Sequence, residues 1–214
     1  MIALDLDGTL IDARPRQVGV ATEALAELAG ESLDEERFWQ AKRAGASTVE
    51  ALEALGHPCD TAAEVARLWA QRIESVQWLR RDRALTGARQ ALSDLCGAGI
   101  AVLTARQSSH GARLSLACAG LEDLVDELFV VEPMTAAAGK AGILAQRRPA
   151  VFIGDTESDG EAARRAGVRF RAVATGQRSD AFLRSRGYDP LPSLHAALEG
   201  VLSVSGVSDR IHQQ

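Results

Sequence analysis

The chain has almost no lysine. Of its 24 basic residues only Lys42 and Lys140 are not arginine. It also has no basic excess: 29 acidic residues bring the formal charge to −5, which excludes the positive footprint of a nucleic-acid binder. No apolar run approaches the roughly 20 residues of a membrane helix. No basic stretch followed by a short apolar segment and a cleavage site opens the sequence, so no secretory leader is expected and a cytoplasmic location is. Cysteine is scarce. Cys59, Cys96 and Cys118 are odd in number and lack metal-ligand spacing, which argues against a disulfide framework and predicts buried free thiols in a reducing cytoplasm. The four histidines, His57, His110, His195 and His212, show no ligand spacing either. Internal repeats, low-complexity stretches and long linkers are missing.

What remains is an average soluble composition, 46% apolar and 25% charged, in a length that suits either one large domain or a core plus a small accessory domain. An arginine-biased composition accounts for the arginines but not for the two lysines that survive it. An ammonium and a guanidinium fork are not interchangeable, so each lysine is a candidate for a position where arginine fails.

Apolar patterning divides the chain. Residues 2–5, IALD, read as a short buried strand. Residues 17–29 carry a helical stripe through Val18, Ala21, Leu25, Leu28 and Ala29. Three candidate capping boxes follow, Ser32–Glu35, Ser47–Glu50 and Thr61–Glu64, so that 14–83 reads as about four helices. After Thr86, helices alternate with buried strands at 100–104, 128–131, 150–155 and 168–173, the helix over 159–166 stopping at Gly167. Two short helices near 179–186 and 193–202 and a polar, frayed tail complete the chain. This alternation predicts an α/β protein with a parallel sheet covered on both faces. About 95 mostly helical residues separate the first strand from the second, too many for one crossover, so 14–83 is read as an inserted helical domain on a core of 1–13 and 84–214.

The chemistry concentrates at the end of the first strand. In DLDGTL, Asp5 and Asp7 stand two apart on extended chain, on one face. A single aspartate there would cap a turn. Two demand something that offsets their repulsion, such as a divalent cation with oxygen ligands.

DLDGTL resembles the first signature of the haloacid dehalogenase superfamily. Further pieces occur in order: IAVLT ending at Thr104, GKAGIL with Lys140, and GDTESDGEAARRAG with Asp155 and Asp159. The resemblance implies a doubly wound, Rossmann-like sheet in strand order 3-2-1-4-5, with residues 14–83 as a helical cap. It implies magnesium held by Asp5, the main-chain carbonyl of Asp7 and Asp155, with Asp159 behind them or acting through water. It makes Asp5 the nucleophile that becomes phosphorylated. Asp7 is then the acid and base, protonated at first while Asp5 stays ionised. Thr104, Lys140 and the amides around Gly8 would hold phosphate, with Thr9, Ala105 and Arg106 alongside. Thr9 is more simply a turn-stabilising hydroxyl, and Arg106 faces either phosphate or solvent. Lys42 and Arg43, between two cap helices, are candidates for an anionic group beyond the phosphate. Arg14 and Arg16 beside the hinge are weaker ones.

The implied activity is magnesium-dependent hydrolysis of a small phosphate monoester, on a substrate free of nucleic acid and membrane, by a monomer or homodimer. The stretch VATGQRS and the cap type resemble phosphoglycolate phosphatases. A phosphomutase of the same superfamily is the alternative, and a non-catalytic binding protein a more distant one. Asp7 argues against a dehalogenase, whose halide leaves without a proton. It argues likewise against the phosphonoacetaldehyde hydrolases, which lack that aspartate and use a cap lysine.

Overall fold

The structure is a computed structural model that describes residues 1–95 and 97–201. Cys96, His212, the last residue of the expected helix over 193–202 and the polar tail lie outside the described residues. The other two cysteines are free thiols but not buried as expected: Cys59, at the start of a helix, is exposed, and Cys118, at a helix end, is half-buried. Along the chain, β1 (Ile2–Leu4) and β2 (Ile11–Asp12) precede five helices: α1 (Arg14–Ala29), α2 (Glu35–Arg43), α3 (Thr48–Ala54), α4 (Cys59–Arg72) and α5 (Val76–Leu79). The chain returns through β3 (Arg83–Ala84). It then alternates through α6 (Ala88–Ser93), β4 (Ile100–Ala105), α7 (Ser109–Cys118), β5 (Glu127–Val131), α8 (Ala136–Arg147), β6 (Phe152–Gly154), α9 (Glu157–Ala166), β7 (Phe170–Ala172), α10 (Asp180–Ser185) and α11 (Leu194–Leu198).

Five strands form one parallel sheet in the order β5-β4-β1-β6-β7. Counted within that sheet, the order is the expected 3-2-1-4-5. β1 is central, pairing Ile2 with Ile100 on one side and Leu4 with Ile153 on the other. Both faces are buried, which is why the strands read as continuous apolar runs. The period of two still sorts the side chains. Ile2, Leu4, Ile100, Val102 and Ile153 pack with Leu92 of α6, Leu116 of α7 and Leu194 of α11. Ala3, Ala101, Leu103 and Phe152 pack with Leu144 of α8 and Ala162 of α9. The reversal of winding falls between β1 and β6, so the carboxyl ends of those strands open the crevice where ligands of such sheets bind.

Helices α1 to α4 build a second core from Val18, Leu25, Phe38, Trp39, Leu52, Val65 and Leu68. This helical segment joins the sheet through two linkers that pair antiparallel, Ile11 with Ala84 and Asp12 with Arg83. A two-residue ladder offers too little pattern to be legible in sequence.

Of the three capping boxes, one forms as expected: Ser47 accepts from the Glu50 N–H while the Glu50 carboxylate accepts from the Ser47 N–H. The other two do not. α2 is capped by the Asp34 carboxylate, which accepts from the Arg37 N–H, because an anion at the N-terminus serves better than Ser32 two residues back. α4 starts at Cys59, after Pro58 with φ −58°, so Thr61 lies inside the helix. The segment holds five helices rather than four, since α5 is too short to show a period.

All three tryptophans, Trp39, Trp69 and Trp78, belong to the helical segment, so fluorescence reads its unfolding. Phe38 is fully buried there, and Phe38→Ala should cost about 3–5 kcal/mol. A urea titration followed by tryptophan emission should show the midpoint moving down accordingly.

Candidate functional site

β1 delivers Asp5 to the crevice and fixes its backbone through an N–H donated to the Ile153 carbonyl at 2.8 Å. The chain then turns sharply: the Leu10 and Ile11 N–H groups both donate to the Leu6 carbonyl. Gly8 holds φ +82° in this turn, and a Cβ there would lie 2.3 Å from Asp155 Oδ2. From the other side Gly176 approaches as closely, its Cβ position 2.2 Å from the same oxygen. Two glycines thus let two backbones press on one carboxylate.

Asp155 follows β6 directly, and Thr156 caps α9 in a reciprocal box with Asp159. Asp159 Oδ2 accepts from the Thr156 hydroxyl at 2.7 Å and from its N–H at 3.1 Å. Its Oδ1 accepts from Lys140 Nζ at 2.6 Å, and Lys140 donates equally to Asp5 Oδ1 at 2.6 Å. Oxygens of Asp5, Asp155 and Asp159 lie within 4.8 Å of one another, and all three residues are buried.

Three carboxylates here face one ammonium, and the ionisation behaviour shows the deficit. Burial pushes the Asp5 carboxyl up to about 7, Lys140 opposing and Asp159 adding to the shift. Asp155 is raised well above its ordinary range by burial and then by Asp5 and Asp159. Lys140 stays charged, since Asp159 and Asp5 outweigh its own burial. Asp155 Oδ2 accepts from the Gln177 N–H at 2.6 Å, while Oδ1 is buried with no hydrogen-bond partner. A buried, unpartnered oxygen among excess carboxylates, with an all-oxygen donor set, fits a hard divalent cation.

Asp7 takes different partners. Arg106 grips its carboxylate with a fork, Nε to Oδ2 at 2.8 Å and Nη2 to Oδ1 at 2.8 Å, and Arg16 Nη2 also donates to Oδ1. Behind these, Arg16 Nε donates to Asp82 at 2.9 Å, and Ser115 donates to Asp82 at 2.7 Å while accepting from Arg106 Nη1 at 2.9 Å. Burial favours the neutral acid, but Arg106 and Arg16 outweigh it and hold Asp7 below the usual carboxylate range. At rest the two carboxyl groups are biased opposite to the pattern expected for the first step: two guanidinium groups favour the Asp7 anion, while burial favours neutral Asp5. Asp7 stands beyond the end of the strand at Leu4 and is bridged to Ile11.

Thr104 is buried near the carboxyl end of β4, beside Val130 of β5, and Ala105 closes that strand. Thr9 does not stabilise its turn through the side chain; its hydroxyl is buried and unpartnered. Arg106 faces neither open solvent nor an empty pocket, since it is spent on Asp7. Arg14 points away, pairing with Glu36 at the surface. Arg43 donates to the Ala174 carbonyl at 2.7 Å and the Arg178 carbonyl at 3.3 Å, tying the end of α2 to the loop after β7. Lys42 is buried with its ammonium 3.2 Å from the Thr48 hydroxyl and 5.5 Å from the Trp69 ring centroid. Burial, then the Arg178 charge, pushes it down to about 8.

Sequence reasoning missed Asp82, Ser115 and Gln177. Asp82 and Ser115 carry no motif and serve through other side chains, and Gln177 contributes only its backbone.

The family model for haloacid dehalogenase-like hydrolases matches residues 1–167. No curated protein matches the chain. Among solved structures, a haloacid dehalogenase-like family hydrolase from Streptococcus pneumoniae superposes with TM-score 0.71 at 20% identity, covering 95% of this chain and 96% of its own. A predicted phosphoglycolate phosphatase from Haemophilus somnus gives 0.69 at 16% identity, over 93% and 96%. A predicted phosphatase from Clostridium acetobutylicum gives 0.71 at 16%, over 94% and 97%. These likenesses show the same fold.

The glycine contacts yield a stability test. Gly176→Ala sets a methyl against the Asp155 carboxylate and the Gly8 backbone, and should cost about 1–3 kcal/mol. Gly187→Ala, at φ +85° with nothing within 4 Å, carries backbone strain alone, roughly 1 kcal/mol. Thermal denaturation should rank Gly176→Ala below Gly187→Ala, and both below the parent.

Proposed function

This chain belongs to the haloacid dehalogenase-like hydrolases, and we propose that it hydrolyses a small-molecule phosphate monoester through an aspartyl-phosphate on Asp5. The observation that carries the reading is the pairing of Asp5 with Lys140 beside the unpartnered oxygen of Asp155. Residues 1–13 and 84–214 form the catalytic core in this reading, and 14–83 its cap.

The chain's own groups divide the work. The Asp5 carboxylate attacks phosphorus; the new O–P bond forms as the ester O–P bond opposite breaks. Asp7 donates a proton to the departing oxygen, then takes one from the water that cleaves the aspartyl-phosphate. As it rests, Asp7 is ready for the second task; for the first it must gain a proton against the pull of Arg106 and Arg16. Lys140 keeps Asp5 aimed and offsets phosphoryl charge. Thr104 and the amides around Gly8 hold phosphoryl oxygens, and the Thr9 hydroxyl is free to join them. Asp5, the carbonyl of Asp7 and Asp155 would hold magnesium, with Asp159 supporting through Lys140 and Thr156. That ion supplies positive charge to the phosphoryl oxygens.

Lys42 is our candidate for the far end of the substrate. Its ammonium is buried beside the Thr48 hydroxyl and the Trp69 ring, and the Arg178 and Glu50 charges act on it. A solved relative is named for phosphoglycolate, which carries a carboxylate at that end. Arg43, committed to carbonyl groups, serves as a strut rather than a ligand.

Asp5→Asn should lower phosphate release by roughly 10³-fold or more, and acid quenching of the parent during turnover of radiolabelled substrate should trap phosphate on the protein. Release of no phosphate from any metabolite or aryl ester would overturn the reading; isomerisation of a sugar phosphate without free phosphate would point to the mutase.

Magnesium binding should release protons, because Asp5 holds one below about pH 7 and the ion displaces it. Calorimetry in buffers of different ionisation enthalpy should show more release at pH 6 than at pH 8, and tighter binding at the higher pH.

Lys42→Met should raise KM about tenfold for a substrate with a second anionic group while sparing p-nitrophenyl phosphate. In the parent, KM for the former should climb as pH passes about 8, where Lys42 loses its charge.

A further inference from the structure

Arg106 directly follows β4, only two residues after Thr104, where a phosphate ligand is the obvious expectation. Its contacts say otherwise. Nε and Nη2 close a fork on the two oxygens of Asp7, Nη1 donates to Ser115, and Nη2 also lies 3.4 Å from Asp82. Every nitrogen of the guanidinium has a partner inside the cluster, and the residue is only 3% exposed. Arg16, also 3% exposed, adds a second donor to Asp7 Oδ1, with its Nε on Asp82 and its Nη1 on the Ile73 carbonyl at 3.3 Å.

The cluster holds two guanidinium groups, Arg16 and Arg106, and two carboxylates, Asp7 and Asp82. Its formal charges balance, in contrast to the Asp5–Asp155–Asp159 group. A balanced set has no charge left to recruit a ligand. What it does have is geometry: a two-point fork fixes the plane of a carboxylate, which a single-point ammonium does not.

We propose that Arg106 and Arg16 are positioning residues that fix the orientation of the Asp7 carboxylate, and that Arg106 is not a substrate ligand. This rests on the reading of Asp7 as the acid and base. The fork holds Oδ1 and Oδ2 so that Asp7 meets the leaving oxygen in one orientation; Asp82 and Ser115 hold the two arginines in turn. A proton transfer is sensitive to such placement, whereas departure of a group that needs no proton is not.

The experiment compares two substrates of the magnesium-loaded enzyme. One is an alkyl phosphate that the parent turns over, whose alkoxide must be protonated. The other is p-nitrophenyl phosphate, whose phenolate leaves unaided. The readout is kcat/KM, which reports steps through the first phosphoryl transfer. Asp7→Asn is the reference and should lose far more on the alkyl ester than on the aryl ester. Arg106→Lys, which keeps the charge without the fork, should lose at least tenfold on the alkyl ester, in kcat rather than KM, and less than threefold on the aryl ester. Arg106→Met should widen that gap. Should Arg106→Met fail to fold, the charge-neutral pair Arg106→Met with Asp82→Asn should show the same split.

Equal losses on both substrates, or losses confined to KM, would make Arg106 a substrate ligand or a merely structural residue and overturn the proposal. If Asp7→Asn itself showed no split, the acid–base reading would fall instead. A split for Asp7→Asn that is absent from the Arg106 variants sinks the positioning role alone.

Discussion

Lys140 is the charge on which the site depends. One ammonium lies 2.6 Å from both Asp5 and Asp159, at the end of a sheet whose interior is otherwise apolar. Without it, Asp5, Asp155 and Asp159 would crowd with no compensating cation. With it in place, burial still raises Asp5 to about 7 and holds Asp155 well above its ordinary range, so the one ammonium offsets the crowding only in part. The surrounding structure serves that pairing: β1 and β6 set the carboxylates side by side, the Thr156 box steers Asp159, and α8 brings Lys140 across. Arginine's broad planar fork would spread where a compact ammonium reaches two oxygens at once, which accounts for one of the two lysines left in an arginine-rich chain.

Two charge clusters meet at the turn after β1, and they differ in kind. Around Asp5 the charges are out of balance and an oxygen of Asp155 goes unpartnered. Around Asp7 the charges cancel and the guanidinium nitrogens are occupied. Buried polar networks that are completely satisfied rigidify their members, and those left incomplete await a partner. The same short segment, Asp5 to Asp7, therefore presents one carboxylate to incoming charge and holds the other still.

The sheet was legible because its strands are buried on both faces and interrupted by helices of ordinary length. The order 3-2-1-4-5 was legible only through the resemblance carried by four ordered motifs. Those motifs also named Lys140, Asp155 and Asp159, which the fold brings together with Asp5, the carboxylate that the DLDGTL pattern itself singled out. What escaped was whatever depends on distant side chains meeting. The β2–β3 ladder is two residues long on each side and has no period. Asp82 is an acidic residue in an arginine-rich turn, RRDRA, where nothing distinguishes it from a solvated charge until Arg16 and Arg106 are seen around it. The Asp7 carboxylate was misjudged for the same reason: local sequence supplied its neighbour Asp5, and the fold supplied the two arginines. The cap boxes failed where Asp34 and Pro58, closer to the true helix starts, competed with the motif pattern.

The seam between α2 and the loop after β7 is made largely of backbone. Arg43 reaches two carbonyl oxygens, those of Ala174 and Arg178, while Arg178 reaches the carbonyl of Lys42 and the Ser179 N–H donates to that of Arg43. Carbonyl groups are the same whatever residue bears them. Side chains at positions 174 and 42 can thus change while the hydrogen bonds of the joint persist, so the seam tolerates variation in the residues that meet there without coming apart.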